Sequence, residues 1–192
     1  MITVIYAHPN PKSFNHAIKE EVLGFLSSKG LRYELRDLYA MGFDPVLSAR
    51  DFETFLSGNV PEDIRREQDI IKASSLLLFI YPIWWTGMPA ILKGYIDRVF
   101  SYGFAYEERD GELVGLLSDK KAFIINTLGA SELDYRPSGM EECLIKTTDT
   151  GIFKFCGVEV LRHLFLYSVP YITEDERKAM LEMIRKELEE VL

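Results

Sequence analysis

Cysteine is nearly absent: Cys143 and Cys156 are the only two in 192 residues. Their separation matches neither a CxxC pair nor a zinc spacing, so they read as buried apolar thiols in a reducing cytosol. Histidine is as scarce. His8, His16 and His163 form no HExxH or similar pattern, so no metal is expected. There is no basic excess either. The chain has 22 basic and 30 acidic side chains and a net charge of −8. That balance argues against nucleic acid or anionic lipid as a partner. No apolar run approaches ~18 residues, so no direct membrane insertion is expected. The start, MITVIYAHPN, lacks the basic region and cleavage site of a signal peptide, which points to the cytoplasm. A Walker motif, a GxGxxG turn, a GxSxG elbow, internal repeats and low-complexity tracts are all missing.

What is present is an ordinary globular composition, 47% hydrophobic and 27% charged. The length suits one domain over residues 1–192, able to bury roughly 70% of its unfolded surface. Short apolar runs alternate with helical patterns, as a parallel sheet with crossover helices requires. Strands are expected at Ile2–Ala7, Leu31–Leu38, Ser75–Tyr81, Lys121–Thr127 and within Val158–Val169. The second alternates polar and apolar residues and suits an outer position. Helices are expected over Phe14–Lys29, near Asp51–Leu56, after Pro61, after Pro89 and over Gly139–Phe155. In the helix after Pro89, Leu92, Ile96 and Phe100 recur at four-residue spacing. Thr173 and Glu176 form a capping box for a last amphipathic helix. ERDGE reads as a turn, and the stretch around Gly42, Pro45 and Gly58 as irregular. The pattern predicts a doubly wound α/β domain of five parallel strands in the order 2-1-3-4-5. Its ligand crevice lies outside the carboxyl ends of strands one, three and four.

Three loops then matter: 8–15, 81–88 and 126–138. The first ends at a helix N-terminus beside Ser13 and Asn15, where backbone N–H groups and the helix dipole favour an anion such as phosphate. His8 stands next to it. The second places Trp84 and Trp85 side by side, an aromatic surface suited to a flat conjugated ring. The third, NTLGASELDYRPSG, is polar and long enough for a binding loop. Together they suit a flat, phosphate-bearing cofactor, and a flavin fits.

At these loops the chain resembles the NAD(P)H:quinone oxidoreductases, the DT-diaphorase-like branch of the flavodoxin-like fold. The matching stretches are AHPNPKSFNHAIKE, DLYAMGFDPVLS, YPIWWTGMPAILKGYIDRVFSYGFAY and FKFCGVEVL. The resemblance implies a flavoenzyme that takes a hydride from NADH or NADPH and passes two electrons to a quinone. It also implies a homodimer with active sites at the subunit interface. By position, His8, Ser13, Phe14 and Asn15 match the family's flavin pyrophosphate and ribityl loop. Pro82, Ile83, Trp84 and Trp85 match the stretch along the isoalloxazine ring. Asn126, Thr127, Leu128 and Gly129 match a loop bonding the ring edge. Tyr106 and Phe155 match aromatics that reach the partner's substrate pocket, where Trp85 completes an aromatic wall.

The sequence departs from the family in places. NTLG replaces TTGG, and Ser138 falls where the best-known members have a histidine. Tyr135 matches the family's flavin-side tyrosine with one residue gapped and is the candidate catalytic group. No essential histidine is expected, since His8 and His163 are both expected away from the ring. A shorter segment before the third strand suits FMN, while Arg177 falls at an adenosine-side arginine and favours FAD. Three other readings are a flavodoxin-type electron carrier, which NADPH does not reduce directly, a regulatory subunit of a potassium-efflux system, which would co-purify with membranes, and a flavin-free binding module, which would be colourless and gain no flavin on incubation. Tyr102, Phe104 and Tyr106 give the 102–106 loop more apolar surface than one domain would bury, which also suits a homodimer.

Overall fold

In the computed structural model, which describes residues 1–57 and 59–192, five parallel strands form one sheet. The Gly58 noted in the sequence lies outside the described residues. The strands are β1 (Ile2–Tyr6), β2 (Tyr33–Asp37), β3 (Leu76–Pro82), β6 (Lys121–Thr127) and β7 (Glu159–Leu166), ordered β2-β1-β3-β6-β7. Counting only these five, the order is the expected 2-1-3-4-5. Every residue of β1 and β3 is buried, so near-continuous apolar sequence marks strands covered on both sides. At the sheet edge, β2 is half-buried throughout except for the exposed Glu34, as its mixed polar and apolar sequence suits.

Strand parity divides the interior into two apolar layers. Val4, Leu78, Ile80, Phe123 and Ile125 pack on Ile18, Val22 and Phe25 of α1 (Phe14–Ser28) and on Ile184 and Leu188 of α7 (Glu174–Val191). On the other layer, Ile5, Phe79, Tyr81 and Ile124 pack with Ile64 and Ile71 of α3 (Glu62–Lys72) and with Leu92, Tyr95 and Val99 of α4 (Ala90–Val99). The alternation in α4 therefore buries the expected stripe. Ser13 caps α1, its Oγ accepting from His16 N at 3.2 Å. The Thr173–Glu176 capping box is formed.

A buried ion pair holds the irregular stretch. Arg98 of α4 donates to Asp51 at 2.9 Å, to Asp63 at 2.9 Å and to the Asp44 carbonyl at 2.8 Å. It thereby fastens α2 (Ala49–Leu56) and the loop before it.

The structure corrects several expectations. ERDGE does turn, as expected, but it is the tip of a hairpin absent from the sequence reading, β4 (Tyr106–Arg109) and β5 (Glu112–Gly115), with Asp110 and Gly111 both at positive φ. This hairpin sits tightly on the chain: a Cβ at Gly115 would collide with main-chain atoms of Cys156 and Gly157. The expected helix 139–155 is two elements, α6 (Met140–Ile145) and a π-helix (Lys146–Lys154). A short α5 (Glu132–Tyr135) interrupts the 126–138 loop. Cys156 is buried, and burial pushes its thiol up to about 11, but Cys143 is exposed. Phe104 is buried in its own chain's core rather than on the surface. No helix among the described residues is long and apolar enough to cross a membrane.

Candidate functional site

A cleft of about 560 Å³ opens at the carboxyl ends of β1, β3 and β6. Its first wall is the β1–α1 loop. His8, Ser13, Phe14 and Asn15 all line it. Asn10 shapes this loop, its Oδ1 accepting from Lys12 N at 2.9 Å. The Asn10 N–H in turn donates to His8 Nδ1 at 3.0 Å, so a neutral His8 carries its proton on Nε2. Burial lowers the His8 pKa and favours that neutral form. Asn15 is only 3% exposed and its Nδ2 donates to Thr127 Oγ1 at 2.7 Å. Its Oδ1 is buried with no partner among the described residues. A buried acceptor left unpaired costs stability unless something outside the chain completes it.

The second wall is Pro82, Ile83, Trp84 and Trp85. Trp84 and Gly87 exchange two backbone hydrogen bonds of 3.1 Å, closing a two-residue turn. Its central residues, Trp85 (φ 49°) and Thr86 (φ 56°), both lie in the left-handed region. Neither is glycine or asparagine, so the turn carries strain of roughly 1–2 kcal/mol per residue. The outcome is that Trp85 is 100% exposed. Trp84 turns back, its ring edge-on to His8 with centroids 5.6 Å apart.

The third wall is Thr127, Leu128 and Gly129. Three backbone bonds pin this loop to the end of β7 and the chain after it: Leu128 N to Leu166 O, Val169 N to Leu128 O and Ser168 N to Ala130 O, at 2.8, 2.9 and 2.9 Å. Val169 and Pro170 consequently line the cleft. Sequence reasoning missed both because the crevice rule considers the ends of strands one, three and four alone; Pro170, four residues after the last strand, was the available signal.

Other expected residues stand apart from the cleft. The Asn126 side chain faces the opposite layer, because strand parity sends it away from Thr127. Its amide bonds the Tyr81 carbonyl and His163 instead. Tyr135 does not line the cleft. Its hydroxyl is buried without a partner among the described residues, and burial, then the neighbouring Cys143, raises its pKa. Ser138 Oγ donates to the Tyr135 carbonyl at 2.6 Å and closes a local turn. Arg177 braces the cleft from behind. Its guanidinium lies 5.4 Å over the Phe14 ring and donates to the Val169 carbonyl at 2.8 Å.

Tyr106 and Phe155 pack together, ring centroids 5.1 Å apart, but neither lines the cleft. Tyr106 lines a separate cavity of about 340 Å³ with Phe52, Phe55 and Tyr102. The aromatic wall of Trp85, Tyr106 and Phe155 is therefore not assembled within one chain.

Comparison with known proteins agrees with this architecture. A family model described as a flavodoxin-like fold matches residues 1–191. An NAD(P)H oxidoreductase of Haemophilus influenzae, itself uncharacterized, is 39% identical over 181 residues, 94% of this chain and 90% of that one. NAD(P)H dehydrogenase (quinone) 1 of Rattus norvegicus is 33% identical over 98% of this chain and 76% of its own length. Among solved structures, the NAD(P)H:quinone oxidoreductase of Methanothermobacter marburgensis superposes with a TM-score of 0.85 at 32% identity, covering 96% of this chain and 95% of that one. The chain thus belongs to the flavodoxin-like family, in the branch that holds the NAD(P)H:quinone oxidoreductases.

Proposed function

We propose that this chain is a flavin-dependent NAD(P)H:quinone oxidoreductase. The observation that carries the reading is the buried, unpaired Oδ1 of Asn15, at a cleft between a helix N-terminus and two tryptophans. That acceptor fits a hydroxyl donor such as a ribityl chain, and the start of α1 fits its phosphate. The first turn of α1 has no acidic residue to oppose an anion. A bound flavin supplies the chemistry the side chains lack, accepting a hydride and delivering two electrons.

The chain's own residues bind, orient and exclude water. His8, neutral and with its Nε2–H free of the Asn10 contact, is a donor for the phosphate. Pro82 to Trp85 and Thr127 to Gly129 offer two walls for a flat ring, with the backbone N–H groups of Gly129 and Ala130 as preorganised donors for developing negative charge. FAD is the flavin proposed, with Arg177 beside Phe14 as support for an adenosine half; FMN is the alternative. NADH or NADPH is the donor and a quinone the acceptor, presented in turn to one ring face.

The same reading includes a homodimer. Trp85 at 100%, Tyr102 at 57% and Phe155 at 41% exposure are large apolar side chains left to solvent in one chain. In this proposal Tyr106 and Phe155 of one subunit complete the substrate pocket begun by Trp85 of the other. Both cysteines are free, which suits a reducing, cytoplasmic setting.

The test is direct. The purified protein is expected to be yellow, to release a flavin identifiable by chromatography, and to show parallel double-reciprocal lines with a nicotinamide and a quinone. A colourless protein that gains no flavin on incubation would refute the reading. Bleaching by dithionite but not by NADH or NADPH would favour an electron carrier instead. Sedimentation at micromolar concentration should show a species of twice 22.1 kDa.

A further inference from the structure

On the layer facing away from α1, three polar side chains lie in a row behind the cleft. Asp149 sits on the π-helix, His163 on β7 and Asn126 on β6. His163 Nδ1 is 2.7 Å from Asp149 Oδ1, and its Nε2 is 2.7 Å from Asn126 Oδ1. The row ends at the Tyr81 carbonyl, which accepts from Asn126 Nδ2 at 3.3 Å. The His163 side chain is only 5% exposed, and its ring stacks on Phe165 with centroids 4.2 Å apart.

These contacts decide where protons sit. Turned over, the Asn126 amide would set its oxygen against the Tyr81 carbonyl oxygen, so Nδ2 must face Tyr81 and Oδ1 must face His163. Both partners of His163 are then acceptors, since a carboxylate only accepts. A neutral imidazole has one N–H and satisfies one of them. A ring protonated on both nitrogens satisfies both and is paired in charge with Asp149.

The row also joins the cleft. Tyr81 and Asn126 face each other in register across β3 and β6, one residue before Pro82 and Thr127. We propose that Asp149, His163 and Asn126 form a positioning relay, in which a doubly protonated His163 locks the Asn126 amide onto the Tyr81 carbonyl and so fixes the two strand ends that carry the cleft walls. The hydrogen bonds of His163 go to Asp149 and Asn126, neither of which lines the cleft. His163 acts through Asn126, and the link from relay to ligand rests on the flavin reading above.

The test uses the full chain with uniform ¹⁵N labelling at pH 7, first without added flavin. Nitrogen NMR should show protons on both ring nitrogens of His163, and the Asn126 carboxamide should exchange slowly. Asp149→Asn offers Nδ1 a donor, so a neutral ring suffices. That variant should show a single ring N–H and keep the Asn126 carboxamide protected. His163→Ala should expose the carboxamide to fast exchange and weaken FMN and FAD binding about tenfold, the loss of one buried hydrogen bond's positioning. If His163→Ala fails to fold, Asp149→Asn decides alone. A single ring N–H in the unmodified protein overturns the relay, as does identical ring protonation in Asp149→Asn. Carboxamide protection and flavin affinity both unchanged in His163→Ala overturn it too. If the unmodified protein binds no flavin, the proposed function fails, while the NMR measurements still judge the relay.

Discussion

Asn15 and Thr127 lie 112 positions apart and meet in one buried 2.7 Å hydrogen bond at the base of the cleft. It joins the start of α1 to the end of β6, and it leaves the second polar atom of Asn15 unpaired.

Asn15→Ala removes that acceptor and strands the Thr127 hydroxyl. Flavin affinity should fall roughly tenfold, for about 1–1.5 kcal/mol of hydrogen bonding. Ser13→Ala has a different signature, because its Oγ already caps α1. About 1 kcal/mol of folding stability should be lost. Flavin titration combined with urea denaturation separates the two; equal flavin affinity in Asn15→Ala and the unmodified protein would contradict the assignment.

Thr86→Gly should stabilise the fold. The left-handed backbone at Thr86 costs a β-branched residue more than glycine, and the gain is roughly 0.5–1 kcal/mol after glycine's entropy is subtracted. Thermal unfolding without ligand reads it. A lower midpoint would show that the Thr86 side chain contributes more than its backbone strain costs.

Acid should loosen the α2 segment. Burial alone would raise the Asp51 carboxyl, but Arg98 and the Ser48 cap more than offset it and hold it below its ordinary value of 3.8. The folded pKa lies below the unfolded one, so the stabilisation is complete above the ordinary value. It fades as pH falls through the depressed folded pKa. Asp51→Asn should be less stable than the unmodified chain near neutrality, with the gap narrowing from about pH 4 downward. Urea midpoints across that range test the sign.

Tyr135→Phe removes a buried hydroxyl that bonds nothing among the described residues. Stability should stay level or rise slightly, since an unpaired buried polar group is a cost. Flavin reduction by a nicotinamide should stay within about twofold, because only groups that touch developing charge give larger effects. A stopped-flow rate tenfold lower would place this hydroxyl in the chemistry after all.

Much of this architecture was legible in the residues, for identifiable reasons. Ile2–Tyr6 and Leu76–Pro82 are buried on both faces and so read as unbroken apolar runs. Ser13 and Thr173 announce their helices through capping chemistry alone. The orientation of Asn126 was legible as well: with Ile125 and Thr127 on the α1 side, period-two alternation turns its side chain to the other layer. The π-helix left no such trace: 139–155 reads as one helix, and the segment that widens, Lys146–Lys154, lies against β7. The hairpin strands are four residues each and carry Glu107, Glu108 and Arg109, too short and too charged to stand out.

The seat of that hairpin bears on how Tyr106 and Phe155 came to share a position. Gly115 pairs with Tyr106 across the hairpin, and Gly115 rests on the main chain of Cys156 and Gly157, next to Phe155. The spacing of the two aromatic rings is thus inherited from backbone lying on backbone. Neighbouring side chains can drift over evolutionary time without altering it, whereas a single added methyl at position 115 would shift both rings at once.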